Sequence, residues 1–187
     1  MRKRKTKILR IISTLNPEYG GPSRAIIDSS IILNLNGIDV DILTCDNPKQ
    51  SFFKSKKIKV INMGPSLLGT YWFSFKLFYW LIKNRKKYDS FIVHGIWQFK
   101  TLIASLLLKK NYYVFLHGQL DPFFKKNFIK TLKKKLYWIL IEKKNLLNAK
   151  YLLLTSKGEK QTLKKTFVNT DKMKKKIIKY GIIKPVI

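Results

Sequence analysis

The two histidines of the chain are the residues best suited to chemistry, and they occur in the same local setting. His94 and His117 each end a short apolar run, and each is followed by glycine. A neutral imidazole can donate a hydrogen bond to a ligand oxygen or move a proton near neutral pH. A lone histidine is more often structural, but two in equivalent positions favour a functional pair. Asp121 either orients His117, contacts a ligand hydroxyl, or only begins a turn before Pro122.

A glycine pair marks a second place where a ligand could bind. Gly20 and Gly21 precede Pro22, Ser23 and Arg24, where a helical pattern begins. Residues without Cβ let the backbone approach a ligand closely, and the N–H groups of a helix N-terminus can bind phosphate. The pair lacks the full G-x-G-x-x-G pattern, so a plain strand-to-helix turn remains the alternative. Pro22 suits the first turn of the helix, and Ser23 suits its cap.

Short β-rich runs alternate with longer helical patterns, which predicts βαβ units and a parallel sheet. Seven strands are predicted, at residues 8–13, 38–44, 58–62, 90–94, 112–116, 151–155 and 177–179. Helices are predicted at 23–35, 71–83 and 97–108, and a longer basic helix within 123–147. Ser156 and Glu159 fit a capping box at the start of a further helix. We therefore expect an α/β protein with one domain over residues 1–187.

The order of these elements predicts where a ligand would bind. In parallel α/β sheets, ligands bind outside the carboxyl ends of the strands. The loop at 16–22 follows the first predicted strand, the loop at 94–97 follows the fourth, and the loop at 117–122 follows the fifth. We therefore expect the glycine pair and both histidines to open on one edge of the sheet.

The composition is strongly basic but identifies no partner by itself. The sequence has 39 Lys and Arg against 10 Asp and Glu, and 34 of the 39 are Lys. Such a charge attracts nucleic acid, an anionic membrane or phosphorylated ligands, while a Lys-rich composition also arises from an AT-rich genome. Proteins that read nucleic acid favour Arg, which is scarce here, so we expect no specific nucleic-acid partner.

The remaining composition predicts a cytoplasmic protein without a metal centre. The single cysteine, Cys45, cannot form an intramolecular disulfide, and one cysteine with two distant histidines provides no metal cluster. The basic N-terminus is not followed by a signal-type apolar segment. No apolar run reaches the roughly 20 residues that span a bilayer.

The segment of residues 123–147 is amphipathic and basic. Its apolar residues recur every three or four positions: Phe124, Phe128, Leu132, Leu136, Ile139 and Leu140. In one interpretation this face packs on the sheet, and the lysines form a solvated face. In the other, the helix attracts anionic lipid headgroups, with each near-surface Lys contributing about 1 kcal/mol.

Several motifs follow one another in an order typical of one family. They are GGPSRAI after the first strand, HGIWQF after the fourth, HGQLDPFF after the fifth, the lysine-rich helix, and the closing IIKYGI. From Lys7 to Ile182, the sequence resembles the N-terminal domain of retaining GT-B glycosyltransferases of the family-four type. The enzymes it is most similar to build surface polysaccharides. The resemblance implies a Rossmann-like parallel sheet flanked by helices, which is the N-terminal half of a GT-B fold.

The resemblance also implies roles for individual residues. His117 would approach the transferred sugar as the catalytic residue. Gly20 and Gly21 would lie beside the diphosphate of a nucleotide-sugar donor. Four residues would lie on the acceptor side: Arg24, His94, Trp97 and Asp121. Four lysines would face an anionic membrane, where lipid-linked acceptors are found: Lys126, Lys130, Lys133 and Lys134. No metal and no cofactor are implied.

The end of the sequence departs from the family's pattern. Lys179 and Tyr180 replace the usual Pro and Asn of the turn that crosses into a second domain. That domain carries most of the donor site in the family, and we expect it to be absent here, with a separately encoded C-terminal half as a candidate partner. The leading hypothesis is the acceptor-binding half of a hexosyltransferase, peripheral on the inner face of the membrane. The alternative is a non-catalytic remnant or accessory domain that binds membrane or acceptor.

Overall fold

The computed structural model describes residues 5–54, 56–120, 128–165 and 169–179, without the side chains of 128–131 and 164. Its strands are β1 (Lys7–Ile11), β2 (Asp39–Thr44), β3 (Lys59–Asn62), β4 (Ser90–His94), β5 (Tyr112–Phe115), β6 (Tyr151–Leu154) and β7 (Lys175–Ile177). They form one sheet in the order β3-β2-β1-β4-β5-β6-β7. This parallel sheet, flanked by helices, confirms the predicted Rossmann-like α/β fold.

Six α-helices accompany the strands in the described residues. They are α1 (Pro22–Leu35), α2 (Phe75–Asn84), α3 (Phe99–Leu107), α4 (Phe128–Tyr137), α5 (Lys143–Leu147) and α6 (Lys157–Thr162). A π-helical turn, Trp138–Glu142, joins α4 to α5. Helix α2 begins four residues later than predicted, because residues 69–71 form a 3₁₀ turn and the Ser74 hydroxyl caps the helix by accepting from Leu77 N at 3.2 Å.

The described residues divide into two compact units, a first unit up to residue 92 and a second unit of residues 93–179. In the first unit, α1 packs on β2, and the core is apolar. Its buried residues are Ile12, Leu15, Ile26, Ile27, Ile42 and Ile58. The division falls within β4, and the expectation of a single domain stays a prediction.

The second unit is built around β5 and β6, with α3 packed against α5. Val114 and Leu152 are paired in the register of the two strands, and both are fully buried. The buried Tyr112 hydroxyl donates to the backbone oxygen of Asn145, which ties the start of β5 to α5. These contacts hold β5, from whose end the His117 loop emerges.

Close backbone packing after β3 predicts that Gly64→Ala destabilises the first unit. A Cβ at Gly64 would lie 2.3 Å from the backbone oxygen of Cys45 and 2.6 Å from that of Asp46. Backbone must move to admit it, so we expect a loss of about 1–3 kcal/mol in the free energy of unfolding. Gly21→Ala is the matched control, because φ there is −59° and no described atom lies within 4 Å of the added Cβ. Urea denaturation measures both variants, and equal losses would contradict the prediction.

Candidate functional site

The loop after β1 ends in open space at the start of α1. Gly20 has φ of +105°, a conformation that favours glycine, whereas Gly21 is right-handed with φ of −59°. No described atom lies within 4 Å of a Cβ built on Gly21. Pro22 occupies the first turn of α1, as predicted. The turn therefore leaves room for a ligand beside a helix N-terminus.

Side chains of the first unit fix the path of this loop. Leu15 N donates to the buried carboxylate of Asp46 at 2.9 Å, and Asn16 caps the 3₁₀ turn Pro17–Tyr19 by accepting from Glu18 N. The predicted capping role of Ser23 is wrong. Its hydroxyl faces back to the loop and donates to the oxygen of Thr14 at 3.4 Å, so no side chain caps α1.

Arg24 lies at the surface of the first turn of α1. Its Nε donates to Asp28 Oδ2 at 2.9 Å, one helical turn further on. The side chain of Arg24 remains 82% exposed, while Asp28 is buried. A short ion pair thus holds the guanidinium group along α1, and the acceptor role of Arg24 stays a prediction.

The structure brings the two histidines into direct contact at the ends of β4 and β5. His94 Nδ1 and His117 Nε2 are 3.1 Å apart, and the ring centroids are 5.4 Å apart with planes 27° from parallel. Phe115 stacks on both rings, at 5.5 Å from His94 and 5.3 Å from His117. His94 is only 2% exposed, and its predicted place on the acceptor side stays a prediction. It lies beneath His117.

The second unit keeps His117 uncharged at neutral pH. Burial, and after it the positive charge of Lys100, together lower the pKa of its imidazole from 6.5 to about 4. Lys100 is itself buried and donates to Gln98 Oε1. His117 can therefore exchange hydrogen bonds with a ligand at neutral pH without carrying a charge.

Both histidine loops use left-handed backbone at residues other than glycine. Trp97 has φ of +67° and His117 has φ of +51°. Such conformations cost of the order of 1–3 kcal/mol each and persist only where surrounding contacts hold them. Here Gln119 supplies two of those contacts. Its Oε1 accepts from Ile96 N at 2.6 Å, and its backbone oxygen accepts from Trp97 Nε1 at 3.3 Å.

The carboxylate of Glu159 attaches the His117 loop to the start of α6. Ser156 Oγ accepts from Glu159 N at 3.0 Å, which confirms half of the predicted capping box. The other half is wrong, because Glu159 accepts from Thr155 N at 2.7 Å and from Gly118 N at 2.8 Å. The acid reaches past its own helix to the backbone that follows the histidine.

Sequence reasoning missed Glu142, which is fully buried beneath the His94 loop. Its carboxylate accepts from Trp97 N at 3.2 Å, from Thr101 Oγ1 at 3.2 Å and from Asn145 Nδ2 at 3.1 Å. Burial raises its pKa, although these three donors and Lys100 act in the opposite direction. One feature of the sequence could have drawn attention to it. Acidic residues are scarce in this chain, and Glu142 is one of only ten, yet it lies in the otherwise apolar segment WILIE.

Trp97 and Lys134 form a contact that the sequence did not predict. Lys134 is half-buried, and its Nζ lies 5.6 Å from the centroid of the Trp97 ring, a cation–π geometry. Lys134 thus contacts the loop after β4, and a membrane-facing role for it stays a prediction. Lys133, its neighbour, is exposed.

The apolar face of the basic helix is exposed, so the prediction that it packs on the sheet is wrong for four residues. These residues, named here the exposed apolar stripe, are Leu132, Leu136, Ile139 and Leu140, and they are 58–69% exposed. The opposite side of the helix is the buried one. It contributes Trp138, Glu142, Asn145 and Leu146 to the second unit.

Several residues singled out in the sequence lie outside the described part of the chain. Asp121, Phe124, Lys126 and the last residues of IIKYGI are among them, as are the side chains of Phe128 and Lys130. Within the described residues, no group of three His, Cys, Asp or Glu could hold a metal ion. Within the same residues, every helix is too short or too polar to span a bilayer.

Comparisons with solved structures show the fold of the chain. A glycosyltransferase from Rickettsia africae aligns with 96% of this chain and 44% of its own, with a TM-score of 0.60 and 20% identity. A UGT transferase from Siraitia grosvenorii in complex with UDP aligns with 95% of this chain and 51% of its own, with a TM-score of 0.50 and 14% identity. No family model and no curated protein matches the sequence. The chain thus shares its fold with glycosyltransferases and spans about half the length of these two neighbours.

The lowered pKa of His117 predicts a loss of stability in mild acid. The unfolded imidazole binds a proton near pH 6.5 and the folded one only near pH 4, so the unfolded state binds more protons between these values. We expect the free energy of unfolding to fall by up to about 1.4 kcal/mol per pH unit as the pH drops through this window. Urea denaturation at pH 6.5, 5.5 and 4.5 measures the slope.

His117→Asn is the matched control for this slope. The raised pKa of Glu142 gives a slope of the opposite sign, but it is present in both proteins. The difference in pH slope between parent and variant therefore isolates the contribution of His117. Equal slopes in the two proteins would show that the imidazole is not protected from protonation in the folded state.

Proposed function

We propose that this chain is the acceptor-side domain of a retaining glycosyltransferase. It would transfer a hexosyl unit from a nucleotide sugar to a glycan or lipid-linked acceptor in surface polysaccharide synthesis. The observation that carries the proposal is the hydrogen-bonded pair His94–His117 at the ends of β4 and β5, in a fold shared with a glycosyltransferase over 96% of the chain. A metal and a cofactor are not part of the proposed reaction.

The glycine pair is the proposed contact for the donor diphosphate. The open space over Gly21 admits close approach to backbone N–H groups, and the helix N-terminus favours a negative charge there. Exposed Arg24 adds a positive charge on the same turn, and we propose that the acceptor contacts Arg24. That the Siraitia neighbour is in complex with UDP supports a nucleotide ligand for this fold.

His117 is the proposed catalytic residue, acting as a neutral imidazole. The transition state of glycosyl transfer resembles a positively charged oxocarbenium ion. An imidazolium beside it would repel that charge, whereas a neutral ring can exchange a hydrogen bond with a sugar hydroxyl. Burial and Lys100 keep the ring of His117 in the neutral form. Trp97 and Asp121 are the proposed neighbours on the acceptor side.

A second domain is the proposed source of the groups that select the donor sugar. The chain corresponds to 44% and 51% of its two neighbours, which fits one half of a two-domain enzyme. The partner half would belong to the same polypeptide or be encoded separately. A non-catalytic accessory domain shares the fold, so binding of nucleotide sugars decides between the two hypotheses.

The donor proposal predicts that Gly21→Leu abolishes nucleotide-sugar binding without unfolding the chain. The space around its Cβ accepts a side chain without a clash, and that side chain would occupy the room the diphosphate needs. Amide NMR titrations with UDP-glucose, UDP-N-acetylglucosamine and GDP-mannose measure binding. We expect shifts at Gly20 and Gly21 in the parent, and at least a tenfold weaker affinity in the variant.

The control for this experiment is Gly158→Ala, at another exposed helix start in which the added Cβ meets only Ser156 Oγ at 3.6 Å. It should bind as the parent does. Inorganic diphosphate tests whether charge alone explains binding. Shifts confined to exposed lysines, or equal shifts with inorganic diphosphate, would overturn the nucleotide-sugar proposal and favour the accessory domain.

We also propose that the exposed apolar stripe contacts an anionic membrane surface on the inner face of the membrane. Leucine and isoleucine rarely form such a contiguous exposed row without a partner. Exposed Lys133 and Lys135 stand on either side of the row, as helical geometry requires, and Lys143 and Lys144 follow it. An apolar row flanked by cations matches the acyl boundary and headgroups of anionic lipid.

The membrane proposal predicts that Leu132→Ser with Leu136→Ser reduces flotation with anionic vesicles. About 1.5–3 kcal/mol of transfer energy is lost per side chain if both insert, so we expect binding to fall at least tenfold. Leu106→Ser is the matched control, since Leu106 is an equally exposed leucine on α3 of the same unit. Equal binding to phosphatidylcholine and phosphatidylglycerol vesicles would show that attraction between the lysines and anionic headgroups does not contribute to binding. Unchanged flotation of the double variant would overturn the proposal.

A further inference from the structure

We propose that His94 is a positioning residue that determines which ring nitrogen of His117 carries the proton. The role in sugar transfer that follows rests on the proposed function, but the coupling itself rests on geometry within the second unit. Neither histidine was expected to act on the other, because 22 residues separate them in the sequence.

The geometry allows only two joint states of the neutral pair. His94 Nδ1 and His117 Nε2 are 3.1 Å apart, a hydrogen-bond distance that needs one donor and one acceptor. If His94 donates, His117 accepts at Nε2 and must carry its own proton on Nδ1. If His117 donates from Nε2, its Nδ1 is a lone pair, and the proton of His94 lies on Nε2. In either state the two rings are protonated at the same nitrogen, both Nδ1 or both Nε2.

Packing keeps the rings in this relation. The ring of His94 is buried and stacks on Phe115 with planes 9° from parallel, so its rotation would break both the stack and the hydrogen bond. The backbone on either side is also held, since Gly95 N donates to Phe115 O at 2.8 Å and Gly118 N donates to Glu159 Oε1 at 2.8 Å. The ring of His94 therefore presents a fixed partner to His117.

The surrounding charges disfavour a third state in which the pair holds an additional proton. A second proton would place two N–H groups face to face or leave an imidazolium near the buried cation Lys100. Glu142, the acid beneath the His94 loop, bonds to Trp97 N, Thr101 and Asn145. His117 thus offers a ligand a hydrogen at Nδ1 when His94 donates and a lone pair at Nδ1 when His94 accepts, so the tautomer of His94 fixes what His117 presents.

The experiment is imidazole ¹⁵N NMR of the whole chain, which contains only two histidines and so gives two sets of ring signals. At pH 7.5, where His117 is neutral, we expect one tautomer to dominate in each ring by about fivefold or more, and to be the same tautomer in both. Opposite tautomers in the two rings would overturn the proposal.

Two variants separate the hydrogen bond from the packing. His94→Phe keeps a ring to stack on Phe115 but removes the nitrogen, so the tautomer ratio of His117 should relax by at least threefold toward that of free histidine. Phe115→Leu removes the stack and keeps the bond, so the ratio should hold. If His94→Phe does not fold, His94→Leu, which also removes the ring nitrogens, takes its place. An unchanged His117 ratio in a folded variant would overturn the proposal.

The same samples separate this inference from the proposed function. If the tautomers are coupled but the chain binds no nucleotide sugar, the coupling of the histidines is supported and the proposed function is overturned. Nucleotide-sugar binding by a chain with uncoupled tautomers would do the reverse. Where both hold, His94→Phe should weaken the response of the His117 ring to the nucleotide sugar while the glycine-pair shifts persist.

Discussion

The buried carboxylate of Glu142 is the constraint on which the arrangement of the second unit depends. Removing such a group from water costs several kcal/mol, and its raised pKa shows that the cost is only partly offset. In exchange, the carboxylate fixes the positions of three residues, because it accepts hydrogen bonds from the backbone of Trp97, from Thr101 on α3 and from Asn145 on α5. The left-handed Trp97 closes the loop that begins at His94. Without this acceptor, the backbone N of strained Trp97 and the side chain of Asn145 would each lose a hydrogen bond, and the Thr101 hydroxyl would keep its bond to Gln98 O at 2.7 Å.

The sequence predicted the fold well because strand and helix patterns are local. The strand Ser90–His94 was found at its predicted bounds, and the other strands lie within about two residues of theirs. Sequence also placed both histidines at strand ends, because parallel topology brings the ends of neighbouring strands to one side. It could not predict that they bond to each other. That contact depends on the left-handed backbone at His117, which no local pattern encodes.

The basic helix shows where periodicity is ambiguous. Residues at spacings of three and four define a face, and an apolar face is normally the buried one. Here the same spacing also relates Trp138, Glu142 and Asn145, and that mixed face is buried. A tryptophan and a carboxylate with three donors supply enough contact and hydrogen bonding to compete with a row of leucines. The π-helical turn Trp138–Glu142 adds one residue to the turn and directs the carboxylate toward the His94 loop.

The excess of positive charge affects the protonation of His117 as well as the charge of the protein surface. In a chain of formal charge +29, an added proton on a partly buried imidazole is costly, and the buried Lys100 makes it more so at His117. The ring is therefore unsuited to work as a general acid that begins the reaction protonated at neutral pH. It is suited to orient a hydroxyl or to share a hydrogen bond with developing positive charge, and for those tasks the placement of its single proton matters more than its pKa. A buried His94, 3.1 Å from His117 Nε2, is placed to determine where that proton lies, which the charge of Lys100 does not do.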